Sequence, residues 1–430
     1  MEKDSIRYFQ YIDLLALELQ VAMGCTEPVA LAYAASLAKK TLNDEVIKIE
    51  AFVSANIVKN VKSVIVPNTN GGKGIDSAIA AGFSVGDCSK ELEVLASVKD
   101  EEIPLIDEFK KKVPITIETI NDGHVFDIGI KAYSKNHTAY VRIVDTHTNV
   151  TSIRLDDVDL KLPKKNCKTH IIENNEINEF KKTITIKEIY DFANTVEIND
   201  VKELLDKQIN YNMAIAEEGI NNKYGANIGK TLLLTYGDSP YIKARAYASA
   251  GSDARMNGCE KPVVINSGSG NQGITASVPV IVYAKELGCS KELLYRALVL
   301  SNLCTIHLKT GIGTLSAYCG VVSAGSSAGA GICYLDGGDF KAIAYTLINA
   351  LAITSGIVCD GAKASCAAKI SSSVDAGIMG YCMYKNGNHF HSGDGIVKKG
   401  LEHTIETVGL LARVGMSETD KEIIKLMLND

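Results

Sequence analysis

The stretch PITIETINDGHVFDIGIKAYSKNHTAYVRIVDTHTNVTSIRL, residues 114–155, decides the fold class, because it places a β-rich segment in a chain whose other patterns are mostly helical. Its four runs rich in Ile, Val, Thr and Tyr are separated by turn residues, which is typical of short neighbouring strands. Asp122-Gly123 predicts a tight hairpin turn between the first two runs. Alternating apolar residues over 47–53 predict one more strand, so we expect an α+β domain with an antiparallel sheet over about residues 44–160.

Two helices are predicted ahead of this domain, within residues 1–43. Residues 5–23 carry apolar side chains at helical spacing, and Gly24 marks the end of that helix. A second helix begins near Thr26, a good N-cap residue, and runs Ala-rich to about Lys40. We expect both helices to pack on the larger C-terminal domain.

That larger domain is predicted to be mainly helical and to cover residues 185–430. Residues 161–184 are charged and weakly patterned, which is typical of a linker. Thr185 and Glu188 then have the spacing of a capping box, and helix-like patterns broken by Gly-rich loops continue to the end. The predicted fold class is therefore α+β, with a mainly helical domain beside the smaller α+β domain.

Composition narrows the classes of partner. The net charge of −6 and the lack of a Lys/Arg run argue against a nucleic-acid partner. The charged N-terminus lacks the apolar segment of a signal peptide, which predicts a cytoplasmic protein. The uncharged runs 310–335 and 342–359 have the length of a membrane span, but their small and polar residues favour buried helices, so we expect no membrane partner.

The eleven cysteines do not indicate disulfides or zinc. A reducing compartment disfavours a disulfide framework, and paired Cys-x2-Cys spacings are missing. Small apolar contexts suggest that one group packs as ordinary core side chains, namely Cys88, Cys167, Cys289, Cys333 and Cys382.

Three cysteines in Gly- and Ala-rich contexts predict an iron–sulfur site. LSAYCG carries Cys319, and CDGAKASC carries Cys359 and Cys366. Soft thiolates suit such a cluster, and small residues let the backbone approach it. Three ligands would leave one iron with an open position, which is typical of a Lewis-acid centre. The spacing alone is equally compatible with three unrelated buried cysteines.

A fourth cysteine, Cys25, directly precedes the second predicted helix. A helix N-terminus and a nearby cluster would both favour its thiolate. It is then a catalytic base or a displaceable fourth ligand, and the alternative is an inert buried cysteine.

Two polar loops predict substrate contacts. INSGSGNQG, residues 265–273, matches the dinucleotide fingerprint, but the second strand with an acidic end is missing. We interpret it as a loop that feeds a helix N-terminus and suits a carboxylate, with a tight turn as the alternative. VPNTNGGKGID, residues 66–76, fails the Walker A pattern because Pro67 and Gly74 stand at required positions, so it is a ligand loop or a surface turn. The predicted contacts are Ser267, Ser269, Asn271, Gln272, Asn68, Thr69, Asn70, Arg255, His307 and Lys309.

Together, MGCTEP, VPNTNG, NSGSGNQG, LSAYCG and CDGAKASC resemble the L-cysteine desulfidase family, which is distantly similar to the catalytic subunit of iron–sulfur L-serine dehydratases. The resemblance spans most of the chain, from Cys25 to Cys366. It implies a [4Fe-4S] cluster, no pyridoxal phosphate, and a carbon–sulfur lyase that converts L-cysteine to hydrogen sulfide, ammonia and pyruvate. It also implies that Cys319, Cys359 and Cys366 ligate the cluster and that Cys25 is catalytic.

Three other functions stay open at this stage. They are L-serine dehydration by the same chemistry, sulfur trafficking through a labile cluster, and NAD-dependent oxidoreduction at the 265–273 loop. For the favoured function we expect a small-molecule substrate, L-cysteine, and we allow for a homodimer.

Overall fold

The computed structural model describes residues 1–3, 5–121, 123–162 and 176–428. Asp122, Cys167 and the part of the predicted linker over residues 163–175 lie outside these residues. Within them the helices are α1 Ile6–Glu18, α2 Thr26–Leu42, α3 Ala55–Val61, α4 Gly74–Ser84, α5 Ile103–Lys112, α6 Ile177–Thr183, α7 Ile186–Thr195, α8 Ile198–Asn221, α9 Ile228–Tyr236, α10 Pro240–Met256, α11 Gly270–Glu286, α12 Lys291–Ile312, α13 Val321–Leu335, α14 Phe340–Ile353, α15 Cys366–Lys385, α16 Leu401–Leu410 and α17 Ser417–Leu428.

The strands are β1 Val21–Met23, β2 Lys48–Ser54, β3 Ile115–Ile120, β4 Asp127–Tyr133, β5 Thr138–Val144, β6 Val150–Leu155, β7 Val158–Asp159 and β8 Pro262–Val264. The four strands expected over residues 114–155 and the strand near residue 50 are therefore confirmed. The α+β fold class is confirmed as well.

The larger sheet has six strands in the order β3-β2-β4-β5-β6-β7. β2 pairs in parallel with β3 and antiparallel with β4, so the sheet is mixed rather than purely antiparallel. The predicted hairpin between β3 and β4 is wrong, because β2 lies between them. Ile49, Ala51 and Val53 of β2 are fully buried, and a central position buries them better than an edge would.

The two N-terminal helices pack on different partners. α2 lies on β4 and β5 of the sheet and on α4. An added Cβ at Gly82 of α4 would lie 2.2 Å from the Ala32 carbonyl oxygen, so these two helices touch through their backbones. α1 instead packs on the helical part of the chain, where Tyr11 stacks on Phe192 of α7 with ring centroids 4.9 Å apart.

Between these helices, residues predicted to continue α1 form β1. β1 pairs antiparallel with β8, with Val21 opposite Val264 and Met23 opposite Pro262. α2 then begins at Thr26 with Cys25, rather than Thr26, as its N-cap. The pairing therefore joins the start of α2 to the loop that precedes α11.

The centre of the helical part is α13, whose residues are all buried. This burial explains the uncharged run over residues 310–335 without a membrane. Among the described residues, the helices are too short or too polar to span a bilayer. α13 crosses α15 at backbone contact, since an added Cβ at Gly377 would lie 2.2 Å from the Gly325 carbonyl oxygen.

Replacing Gly377 with Ala is expected to separate α13 from α15, because the new methyl group meets fixed backbone atoms. Such overpacking costs about 1–3 kcal/mol, so the melting temperature should fall. Gly311→Ala is the matched control, since its nearest neighbour would lie 3.4 Å away in ordinary contact. Thermal melts of both variants check this, and equal melting temperatures would contradict it.

Candidate active site

One cavity brings together the four cysteines singled out in the sequence. Cys25, Cys319, Cys359 and Cys366 all line it, although Cys25 comes from the opposite end of the chain. Cys25 also shares a small apolar cluster with Val64 and Met256, against which Cys366 packs. The pairing of β1 with β8 places Cys25 at this cavity.

Cys319 and Cys359 lie in two short segments that pair antiparallel, with Tyr318 opposite Val358. The Cys319 amide donates to the Ile357 carbonyl oxygen at 3.0 Å, and the Cys359 amide donates to Ala317 at 2.6 Å. These two bonds hold the two segments side by side, and both cysteines line the cavity.

Cys366 is the first residue of α15. Gly361, in the loop that leads to it, has a φ of +91°, which glycine adopts without strain. The Cys366 thiol lies 3.6 Å from the Gly361 carbonyl oxygen. The tight turn therefore brings Cys366 back towards Cys359.

The thiols of Cys319 and Cys359 interact directly. A hydrogen bond from Cys319, together with the Lys59 ammonium, lowers the pKa of Cys359 to about 6 in spite of burial. The same contact and burial raise the pKa of Cys319. One of the pair is thus already disposed to be a thiolate, the form that ligates iron.

The donor set fits a cluster better than a single ion. Within the described ranges, His, Cys, Asp and Glu side chains do not gather in threes around a point that could hold one metal ion. A cluster spreads its ligands over several irons, and sulfur-only donors match its preference.

Cys25 is buried, with 2% of its surface exposed. Its side chain does not cap α2. Its thiol donates instead to Glu27 Oε2 at 3.1 Å. Burial, followed by the Glu27 carboxylate, raises the pKa of Cys25 well above its usual value. Burial and the neighbouring Glu27 carboxylate therefore oppose the thiolate form that the helix N-terminus favours.

Five of the predicted substrate contacts line the cavity, namely Ser269, Asn271, Gln272, Arg255 and Lys309. Arg255 Nη1 donates to Asn271 Oδ1 at 3.2 Å. Arg255 Nε and Gln272 Oε1 are buried without a hydrogen-bond partner. An unpaired buried polar group costs about 1–3 kcal/mol, so these atoms favour a polar ligand in the cavity.

Glycines make room for these polar groups. An added Cβ at Gly270 would lie 2.3 Å from Arg255 Nε, and one at Gly320 would lie 2.7 Å from Gln272 Oε1. The Gly-rich motifs thus serve close side-chain approach. Ser269 is the N-cap of α11, and its hydroxyl accepts a hydrogen bond from the backbone N–H of Gln272.

Lys309 is a buried cation beside the cysteines. Burial lowers its pKa to about 8, although the nearby Cys359 and Cys319 oppose that shift. Its ammonium donates to the Gly313 carbonyl oxygen. An anionic group in the cavity would stabilise its charged form.

The structure does not bring Asn68, Thr69 and Asn70 into the cavity wall. Asn68 donates to the Leu95 carbonyl oxygen at 2.7 Å, and Thr69 donates to its own loop. Asn70 is exposed. The loop instead supports the segment before Cys25, since an added Cβ at Gly24 would lie 2.9 Å from Pro67.

Ser267 and His307 also lie away from the cavity wall. Ser267 donates to Asn266 Oδ1 at 2.9 Å. His307 Nε2 lies 2.7 Å from Glu402 Oε2 and joins α12 to α16. Both side chains therefore have structural partners.

Sequence reasoning missed Glu27, Lys59 and Asn60, which all line the cavity. Glu27 stands two residues after Cys25 in the quoted MGCTEP motif, and that position was the available signal. No sequence motif marks Lys59 and Asn60, because α3 comes to the cavity by packing between segments that are distant in sequence.

The family match agrees with this arrangement of residues. Residues 89–425 match the family described as serine dehydratase alpha chain. The chain belongs to this family. The matched range contains the three C-terminal cysteines and ends close to the C-terminus. Membership confirms the predicted relation to the catalytic subunit of serine dehydratases and supports a lyase-type enzyme. It does not by itself indicate that cysteine is the substrate.

Full-length relatives extend the similarity to the segment that carries Cys25. A UPF0597 protein of Desulfitobacterium hafniense is 52% identical over all of this chain and 99% of its own length. One of Finegoldia magna is 46% identical over 97% of this chain and 99% of the relative. One of Treponema denticola is 40% identical over the whole of both chains.

Asp420→Asn is expected to loosen α17 from α3. Lys59 is almost fully buried, and its Nζ lies 2.6 Å from Asp420 Oδ1. Removing one partner leaves a buried cation unpaired, at a cost of about 3 kcal/mol. Hydrogen exchange of α17 should therefore speed up. Glu418→Gln on the same helix breaks an exposed pair with Lys421 and should change nothing measurable. Equal exchange in both variants would contradict the prediction.

Proposed function

We propose that the chain is a [4Fe-4S]-dependent lyase that eliminates hydrogen sulfide from L-cysteine, with ammonia and pyruvate as the other products. The observation that carries the proposal is the meeting of Cys25 with Cys319, Cys359 and Cys366 in one cavity. The family relation supports the lyase class.

The cluster would be held by Cys319, Cys359 and Cys366, whose sulfur donors suit it. When bound, it supplies an iron with an open position that acts as a Lewis acid towards the leaving sulfur. The buried Lys309 beside these thiols offsets their negative charge.

The polar side chains of the same cavity would bind the substrate. Arg255, held by its bond to Asn271, is the partner for the substrate carboxylate. Gln272 Oε1, a buried acceptor without a partner, suits the substrate ammonium. Together they fix the orientation of Cα and exclude water from around it.

Cys25 is the proposed base for the Cα proton, because a thiolate can accept a proton and this side chain lines the cavity. In the ligand-free site it is a buried thiol, so it has to lose its own proton before it can act. Loss of the Cα proton and of sulfide yields aminoacrylate, which hydrolyses to ammonia and pyruvate in water.

L-serine dehydration is the second candidate, and the family description favours it. The same residues would hold serine in the same orientation, with hydroxide leaving instead of sulfide. Pyruvate release from L-cysteine and from L-serine by one anaerobic preparation separates the two. A preparation active only on serine would replace the first proposal by the second.

Cys25→Ala is expected to keep the cluster and lose elimination. Removing a general base costs about 100-fold or more in turnover. The measurements are iron and acid-labile sulfide per chain, visible absorption, and sulfide release from L-cysteine. Turnover equal to wild type at full iron content would remove Cys25 from the mechanism.

Cys359→Ser is expected to lose most of the bound iron, because a serine hydroxyl is a harder and weaker ligand than a thiolate. Cys88→Ser is the matched control, since Cys88 is a half-buried cysteine away from the cavity. Iron analysis after anaerobic purification checks both variants. Equal iron in Cys359→Ser and wild type would exclude Cys359 as a ligand.

A further inference from the structure

Three side chains at the cavity wall lie within hydrogen-bond distance of the Glu27 carboxylate. Oε2 accepts from the Cys25 thiol at 3.1 Å. The Thr26 hydroxyl lies 3.2 Å from Oε2 and 3.0 Å from the Gly268 carbonyl oxygen, and it can donate to either. Oε1 accepts from Asn60 Nδ2 at 3.3 Å. Glu27 is thus the shared acceptor that links Cys25 to α3.

A fourth group approaches the same carboxylate from the sheet. His147, in the turn between β5 and β6, places Nε2 at 4.0 Å from Glu27 Oε1. This nitrogen is buried and has no hydrogen-bond partner. Its ring packs edge-on against Phe126, and an added Cβ at Gly268 would lie 3.0 Å from its Cε1, so the space around the ring is restricted.

We propose that Glu27 is the positioning residue of this site. Its carboxylate fixes the Cys25 thiol in the cavity wall, while Asn60 of α3 holds the carboxylate by a hydrogen bond and the His147 ring lies beside it. The proposal rests on the proposed function for its link to turnover, and on geometry alone for its effect on Cys25.

The charge of Glu27 agrees with this role. Burial opposes ionisation, but the His147 imidazole and the Cys25 hydrogen bond outweigh it, and the pKa of Glu27 is lowered to about 2. Glu27 also lies in the first turn of α2, where the helix dipole favours a carboxylate. An ionised acceptor makes a stronger hydrogen bond to the thiol than a neutral one does.

The contacts specify the side-chain direction of Cys25. As N-cap residue with extended backbone, Cys25 could have turned its thiol onto the amides of α2, yet it makes no such bond. The bond to Glu27 holds the thiol at the cavity instead. A displacement of about 1 Å at a reacting group can cost about 100-fold in rate, so this bond matters for turnover.

The test compares Glu27→Ala with Glu188→Ala. Glu188 also lies in the first turn of a helix and pairs with Arg7, far from the cavity. For cluster-loaded Glu27→Ala we expect kcat for L-cysteine about 100-fold lower, with KM within about threefold of wild type. Glu188→Ala should keep the wild-type kcat.

The second readout needs neither cluster nor turnover. Cluster-free chains are treated with iodoacetamide, and peptide mass spectrometry follows Cys25 and the fully buried Cys304. In Glu27→Ala we expect Cys25 to react at least about fivefold faster, because the thiol is released and an adjacent anion is gone. Cys304 should react as in wild type, which shows that the fold is intact.

Unchanged Cys25 alkylation, or unchanged kcat, in Glu27→Ala would overturn the proposal, as would an equal loss of kcat in Glu188→Ala. If Glu27→Ala does not fold, Glu27→Gln is measured instead. We expect its kcat to be at least about tenfold lower than wild type, and full activity would overturn the positioning role. If cluster-loaded wild-type protein is inactive on L-cysteine, the proposed function is wrong. The alkylation result would still decide whether Glu27 positions Cys25.

Discussion

The antiparallel pairing of β1 with β8 is the contact on which the candidate site depends. β1 ends two residues before Cys25, and β8 leads into the loop before α11. The pairing is extended by the Ile265 amide, which donates to the Gln20 carbonyl oxygen at 2.8 Å. A slip of one residue would move Cys25 by about 3.4 Å along the strand and would misplace it against Arg255 and Gln272.

The site forms where the sheet and the helical part meet, and its charges are tolerated there because they have partners. Glu27 and Asn60 come from elements beside the sheet, whereas Arg255 and the three C-terminal cysteines come from helices and loops of the helical part. Each buried charge contacts at least one polar group, which reduces the cost of burial. Buried polar atoms of Arg255, Gln272 and Tyr318 lack hydrogen-bond partners and line the cavity, so a substrate could satisfy them.

Small residues have two separate uses in this chain. In α13 and α15 they let two helices touch through their backbones. The uncharged sequence of α13 is then explained by burial inside the protein. Around the cavity they admit large polar side chains, as Gly270 does for Arg255. The same composition therefore supports packing at one place and ligand chemistry at the other, and only the neighbours distinguish the two.

The α+β class, the strands over residues 114–155 and the cysteines of the cavity could be predicted from the amino-acid sequence, because periodicity and local motifs depend on neighbours along the chain. The position of β2 between β3 and β4 and the strand over residues 21–23 could not be predicted, because pairing between distant segments overrides local propensity. The folded chain also places the Cys25 side chain against Glu27 and keeps Asn68 and His307 away from the cavity wall. Burial and hydrogen-bond partners settle such roles, and both arise from contacts between residues far apart in sequence.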